Sequence, residues 1–351
     1  MQAERMWEAS TGEGVTVAVI DSGVDGSVPE LQGKLLPGTE FSTDQHGENY
    51  DSLGHGTSMA MIIAGRRSGT SAWGLAPGSK ILPIRSAGGS WYMAKSIRYA
   101  ADHGAKVINV SEGGPLTEAS KADLLPAIEY ANAKGSLIFA ATGNSGDKGN
   151  AKNYPASLPG AIGVGAVDKS LKVANFSTFG PEVALAAPGV GIPTRCTKEL
   201  LECVAQGTSQ ATAIASASAA LIWSAHPTWT NNQVLRVMMQ TAGKPEDGKV
   251  PSKYIGYGIV RPRKVLLDKE GDPGPADVNP LLAARETPAP SRTPRSGDNG
   301  DDKKATNPAP KADGFPTWPI IAGGGVAALA VILGGLLIAR RKKAQLSTHS
   351  R

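Results

Sequence analysis

The sequence predicts an α/β fold: a parallel sheet with helices on both faces, followed by a disordered stalk and one C-terminal transmembrane helix. Three observations carry this expectation. From Gly14 to Leu267, short β-branched runs alternate with helical stretches and glycine-rich turns. Residues 268–314 are rich in Pro, Asp, Lys, Gly and Ser and show no periodic apolar face. Residues 318–339 then carry no charge at all.

Six runs read as buried strands: VTVAVI (15–20), KILPIR (80–85), KVINVS (106–111), SLIFAAT (136–142), AIGVGAV (161–167) and VALAAPG (183–189). Each is short and apolar along most of its length, as a strand covered on both faces must be. Between them, SWYMAKSIRYAADHGA (90–105) and SKADLLPAIEYANAKG (120–135) space apolar residues at helical period and end at glycine. Strands alternating with helices favour parallel neighbours, and such sheets place their sites at the carboxyl ends of the strands.

Four segments are expected: a folded domain over 1–267, a Pro-rich charged linker over 268–314, a membrane helix over 318–339 and a basic tail over 340–351. The linker composition cannot bury enough apolar surface to order itself. The 22 residues of WPIIAGGGVAALAVILGGLLIA match a bilayer core of roughly 30 Å. A buried soluble helix would show a polar face at helical period, and none is present. RRKK follows at once, so the positive-inside tendency puts the tail in the cytoplasm and the domain outside the cell, as a single-pass protein of the cell membrane. The opening residues lack the charged start and apolar core of a signal peptide, leaving an upstream start, trimming or another export route.

Net charge gives no hint of nucleic acid. Arg340, Arg341, Lys342, Lys343 and Arg351 account for the whole excess of +5, which leaves 31 basic and 31 acidic side chains before them. Of the two cysteines, Cys196 and Cys203, with six residues between them, an oxidising exterior would make a small disulfide loop worth about 2–3 kcal/mol. Two free thiols are the alternative. The spacing matches no metal motif.

Three polar residues stand where elements end. Asp21 follows VTVAVI directly, His55 is bracketed by glycines at the head of an apolar stretch, and Ser209 opens TSQATAIASASA. Singly, each suits a turn or a helix cap. Jointly, in the order Asp, His, Ser along one parallel sheet, they match the arrangement of a proton-relay triad.

With VAVIDSGV, GHGTSMAMIIAG, GLAPGSKILPIR, VINVSEGG, AATGNSG and GTSQATA in sequence, and GYGIV near the close, residues 12–265 resemble the subtilisin-like serine proteases. With the stalk and C-terminal span, the chain is most similar to the membrane-anchored mycosins of type VII secretion. The resemblance implies a subtilisin-like fold and a serine endopeptidase acting through an acyl-enzyme. Ser209 would attack, His55 would carry the proton and Asp21 would orient it, while Asn144 would donate to the oxyanion. Ser111, Glu112 and Gly113, with Ala140, Thr142 and Gly143, would line the substrate. Glu112 stands where many relatives are apolar, and a preference for basic residues near the cleaved bond is expected of it.

Ser58 replaces a second histidine usual in the family, and Ala213 replaces a proline. No cofactor is expected. The family's calcium sites use scattered oxygens, and nothing in the sequence indicates one. Expected partners are a protein or peptide substrate, the membrane and a secretion complex. A catalytically silent scaffold is the competing reading. A dinucleotide-binding enzyme also suits the alternation of elements, but the turn DSGVDG lacks the glycine fingerprint. His103 and His226 suit helix carboxyl ends, and His46 a polar loop.

Overall fold

A computed structural model describes residues 2–43, 45–68, 73–86, 88–195 and 203–286. In chain order its elements begin with α1 (Ala3–Trp7), β1 (Thr16–Asp21), β2 (Thr39–Phe41), α2 (His55–Ala64), β3 (Lys80–Ser86) and α3 (Ser90–Asp102). Next come β4 (Val107–Val110), β5 (Gly114–Pro115), α4 (Glu118–Ala133), β6 (Leu137–Ala141), β7 (Asn153–Tyr154) and β8 (Ala161–Val167). The chain continues through β9 (Val183–Pro188), β10 (Ile192–Thr194), β11 (Cys203–Ala205), α5 (Thr208–Ala225), α6 (Asn231–Thr241), α7 (Pro262–Leu266) and α8 (Pro280–Glu286).

Seven strands form one parallel sheet in the order β2-β3-β1-β4-β6-β8-β9. All six strands expected from sequence are in it. Their side chains sort by alternation into two cores. Val17, Val19, Ile81, Val107, Phe139 and Val164 pack with α2, α5 and α6 on one face. Ala18, Ile20, Leu82, Ile84, Ile108 and Ile138 pack with α3 and α4 on the other. Each large side chain fully buried this way contributes about 1.5–3 kcal/mol relative to exposure.

Beyond β9, the sheet edge is covered by the GYGIV segment. The Ala186 N–H donates to the Gly258 carbonyl at 3.0 Å, and the Val260 N–H returns a bond to Ala186 at 2.9 Å. The edge is thereby closed to other chains. Helices α4 and α6 start with capping boxes, Thr117 with Ser120 and Thr230 with Gln233.

Packing does not stop at residue 267, where the linker was expected to begin. Residues 268–286 form a strap over α6. Arg236 donates to the carbonyls of Pro273, Pro275 and Val278, Asn232 to that of Ala276, and Leu281 enters the core. The compact unit spans Met1–Ser291. A polar, Pro-rich segment hid this because its order comes from backbone carbonyls meeting one guanidinium, with little periodic apolar content. The remainder of the expected linker, the span 318–339 and the tail 340–351 lie outside the described residues. Among the described residues, no helix is long and apolar enough to cross a membrane.

Candidate active site

The strand order reverses at β1. The chain runs from β1 to β3 and β2 on one side, then crosses to β4 on the other, so a crevice opens beyond the carboxyl ends of β1 and β4. Ile20 pairs with Val110 across it. Asp21 and Ser111, the next residues along, therefore meet at the crevice floor.

Asp21 ends β1 and is 2% exposed. Its Oδ1 accepts from the Ser22 N–H at 2.8 Å, the Ser22 hydroxyl at 3.2 Å and His55 Nδ1 at 2.7 Å. His55 opens α2, which docks tightly on the end of β1. A Cβ at Gly56 would lie 2.1 Å from the Gly23 carbonyl oxygen, so only glycine allows this approach. That explains why the histidine is followed by glycine.

The loop before α2 is held by Asp51, which the sequence reading missed. Its Oδ1 accepts from the Leu53 and Gly54 N–H groups and from the Ser22 hydroxyl, and its Oδ2 from the Thr57 N–H and hydroxyl. Through Ser22, one buried carboxylate ties the histidine loop to the aspartate it meets. Its only sequence signal was an acid close before GHGT.

Carboxylates surround the imidazole. The charge of Asp21, opposed by burial and aided by the Asp21 hydrogen bond and by Asp51 and Glu112, raises His55 from 6.5 to about 9. Nδ1 faces Asp21, so the neutral ring carries its proton there and presents Nε2 as a free base.

Ser209 lies in the first turn of α5, a helix buried continuously from Thr208 to Trp223 and built largely of small residues. Its hydroxyl donates to the Ser111 carbonyl at 3.2 Å, and the Ser111 hydroxyl donates to the Ser209 carbonyl at 3.3 Å. Asn109 extends this network, donating to Ser111 Oγ and accepting from Ser216 Oγ, both at 3.0 Å. These buried bonds fix α5 against β4.

Asn144 follows β6 and is exposed. Its Oδ1 accepts from the Thr208 N–H at 2.9 Å and the Thr208 hydroxyl at 3.1 Å. With the oxygen committed to the head of α5, the amide nitrogen is the end left to meet a ligand. The Ser209 N–H, in the first turn, has no partner four residues back within the helix. Thr208, overlooked in the sequence beside its neighbour, sets the orientation of Asn144.

The expected substrate residues differ in exposure. Gly113 is exposed and Gly143 half-buried, but Ala140 is fully buried in the second core and Thr142 is 1% exposed. The Thr142 hydroxyl donates inward to Val164 and Thr178 carbonyls. Their side chains pack the sheet rather than face a substrate. Ser58 hydrogen-bonds Thr194 at 2.8 Å, tying α2 to β10, and Ala213 is fully buried in α5. Cys203 is disulfide-bonded, while Cys196 lies outside the described residues. His103 and His226 cap α3 and α5 at their carboxyl ends, but burial, then Lys269, push His226 below its usual value. Among the described residues, no group of three or more His, Cys, Asp or Glu is placed to hold a metal.

An imidazole–carboxylate pair lies at the switch point of a parallel sheet, and the Ser209 hydroxyl rests on the carbonyl of Ser111, the residue that leaves β4 next to Asp21. Residues 12–258 match the model of the subtilase family. The chain belongs to that family and is a subtilisin-like serine endopeptidase. It is 39% identical to thermitase from Thermoactinomyces vulgaris over 226 residues, 60% of this chain and 76% of thermitase. It is 36% identical to a subtilisin of Bacillus pumilus over 257 residues, 71% of this chain and 90% of the relative. Its structure resembles that of MycP1 from Mycobacterium smegmatis with a TM-score of 0.68 at 29% identity, covering 79% of this chain and 85% of the other. The MycP3 protease from the type VII (ESX-3) secretion system gives 0.64 at 30% identity over 75% and 85%. Both are mycosins.

Proposed function

We propose that the protein is a membrane-tethered mycosin that hydrolyses peptide bonds through Asp21, His55 and Ser209. The observation that carries this reading is the 2.7 Å contact of His55 Nδ1 with buried Asp21, beside the head of the helix that bears Ser209. The reading requires the Ser209 hydroxyl to leave the Ser111 carbonyl and turn to His55 Nε2, an adjustment of the kind substrate binding commonly makes. Oγ then forms a bond to the scissile carbonyl carbon while Nε2 takes its proton.

Asn144 Nδ2 and the Ser209 N–H donate to the oxyanion. Collapse breaks the C–N bond, and His55 returns its proton to the leaving amine. Water, deprotonated by the same Nε2, releases the acyl group and restores Ser209. The bond from Nδ1 to Asp21 stabilises the imidazolium.

The uncharged stretch over 318–339 with RRKK behind it supports anchoring in the cell membrane with the peptidase domain outside. The likeness to MycP1 and MycP3 supports work beside a type VII secretion system. Labelling with a fluorophosphonate probe tests the chemistry. The wild type should react and Ser209→Ala should not; labelling of neither favours a silent scaffold, and equal labelling of both removes Ser209 as the nucleophile.

A further inference from the structure

We propose that Glu112 is a specificity-determining carboxylate that pairs with a Lys or Arg side chain of the substrate beside the scissile bond. The proposal rests on Ser209 as the attacking atom and adds the substrate class.

Strand register places it. Val110 pairs with Ile20, so the chain steps out of β4 through Ser111 and Glu112 along the flank of Asp21. Because the Ser111 carbonyl holds the Ser209 hydroxyl, a substrate carbon brought to that hydroxyl must pass beside residues 111–113. Gly113 is pinned against β7, since a Cβ there would lie 2.2 Å from the Tyr154 carbonyl oxygen. Glu112 therefore projects from a fixed backbone.

The carboxyl group is poorly satisfied within the protein. Glu112 Oε1 and Asp21 Oδ2 are sealed from water, and a hydrogen bond from Ser86 is what eases the burial of the Glu112 carboxyl. Glu40, by contrast, on edge strand β2, is met by Arg85, the Ser42 hydroxyl and the Gly47 N–H. A buried carboxylate is costly unless a partner compensates it.

The charges that act on Glu112 come from Asp21 at the end of β1, which repels it, and His55 at the head of α2, which attracts it. Asp51 in the loop before α2 acts with Glu112 on His55, while Glu112 and Asp123 of α4 act on the Tyr154 hydroxyl of β7. A substrate ammonium or guanidinium would supply a compensating charge. An apolar side chain would leave the carboxylate as it is. Burial, then the charge of Asp21, raises Glu112 to about 7. A cation pairs only with the ionised form, so the preference should strengthen as pH rises through that value.

Fluorogenic peptides differing only in Lys or norleucine at the first or second residue before the cleaved bond test this. The quantity read is the ratio of kcat/KM, in which the titration of His55 cancels. For the wild type at about pH 8, Lys should be favoured at one position by about tenfold, equivalent to ~1.4 kcal/mol. The ratio should fall toward unity at about pH 6. Glu112→Gln and Glu112→Leu should bring it near unity at both pH values. A wild type with no Lys preference, or a Glu112→Gln ratio unchanged from wild type, overturns the proposal. The pH dependence of the wild type reads the same group without any substitution at Glu112.

Calorimetric affinities of the same peptides for Ser209→Ala separate the two ideas. Tighter binding of the Lys peptide sustains Glu112 even if the wild type fails to cleave. Equal binding overturns Glu112 even if cleavage proceeds.

Discussion

Raising the pH should accelerate Ser209-dependent hydrolysis steeply and late, because His55 holds its proton far above the ordinary imidazole range. The charge of Asp21 is the main cause, and its hydrogen bond, Asp51 and Glu112 add to it against the effect of burial. Only the neutral ring can take the serine proton. With a value raised from 6.5 to about 9, roughly 1% of the free enzyme is competent at pH 7. The initial slope of kcat/KM should therefore be about tenfold per pH unit, levelling near the raised value. The assay is initial-rate hydrolysis of a norleucine peptide with no ionising side chain, so that the profile reports the free enzyme. Asp21→Asn should move the midpoint down toward the ordinary value and lower the plateau by about 10⁴, through loss of the correct tautomer. A midpoint near 6.5 in the wild type, or a flat profile from about pH 5 to about pH 8, would refute the electrostatic argument.

Asn144→Ala should reduce kcat by about 10²–10³, or about 3–4 kcal/mol of barrier, with little change in KM, because its amide nitrogen acts on the oxyanion and not on bound substrate. A change confined to KM would remove it from that role. Arg236→Ala should free the strap over residues 268–286 by deleting the donor to three carbonyls, at a cost of about 1–3 kcal/mol. Faster amide exchange in that stretch, with hydrolysis unaffected, is the result that checks it.

The sheet was legible in the sequence because strands covered on both faces leave unbroken apolar runs, and all six reappear in the structure. The proposed catalytic trio stood out for a different reason: Asp21, His55 and Ser209 each stand at an element boundary, where side chains are displayed. What supports them was not. Asp51, Thr208 and Asn109 act through bonds to residues distant in the chain, and a polar residue in a loop or in VINV has no local pattern that announces such a bond. The inward direction of the Ala140 and Thr142 side chains was not legible because motif membership does not say which way a side chain at a strand end faces. The strap escaped notice because its anchor, Arg236, lies on another element.

The proposed nucleophile rides on a helix that is buried at every residue from Thr208 to Trp223. Drift in that helix would ripple through the whole interior, whereas the strand-end segments around it can vary at modest cost. On the proposed roles of Ser209 and Glu112, change in what such an enzyme cleaves would be channelled into positions like Glu112, and the attacking atom would be inherited almost as a fixture of the globule.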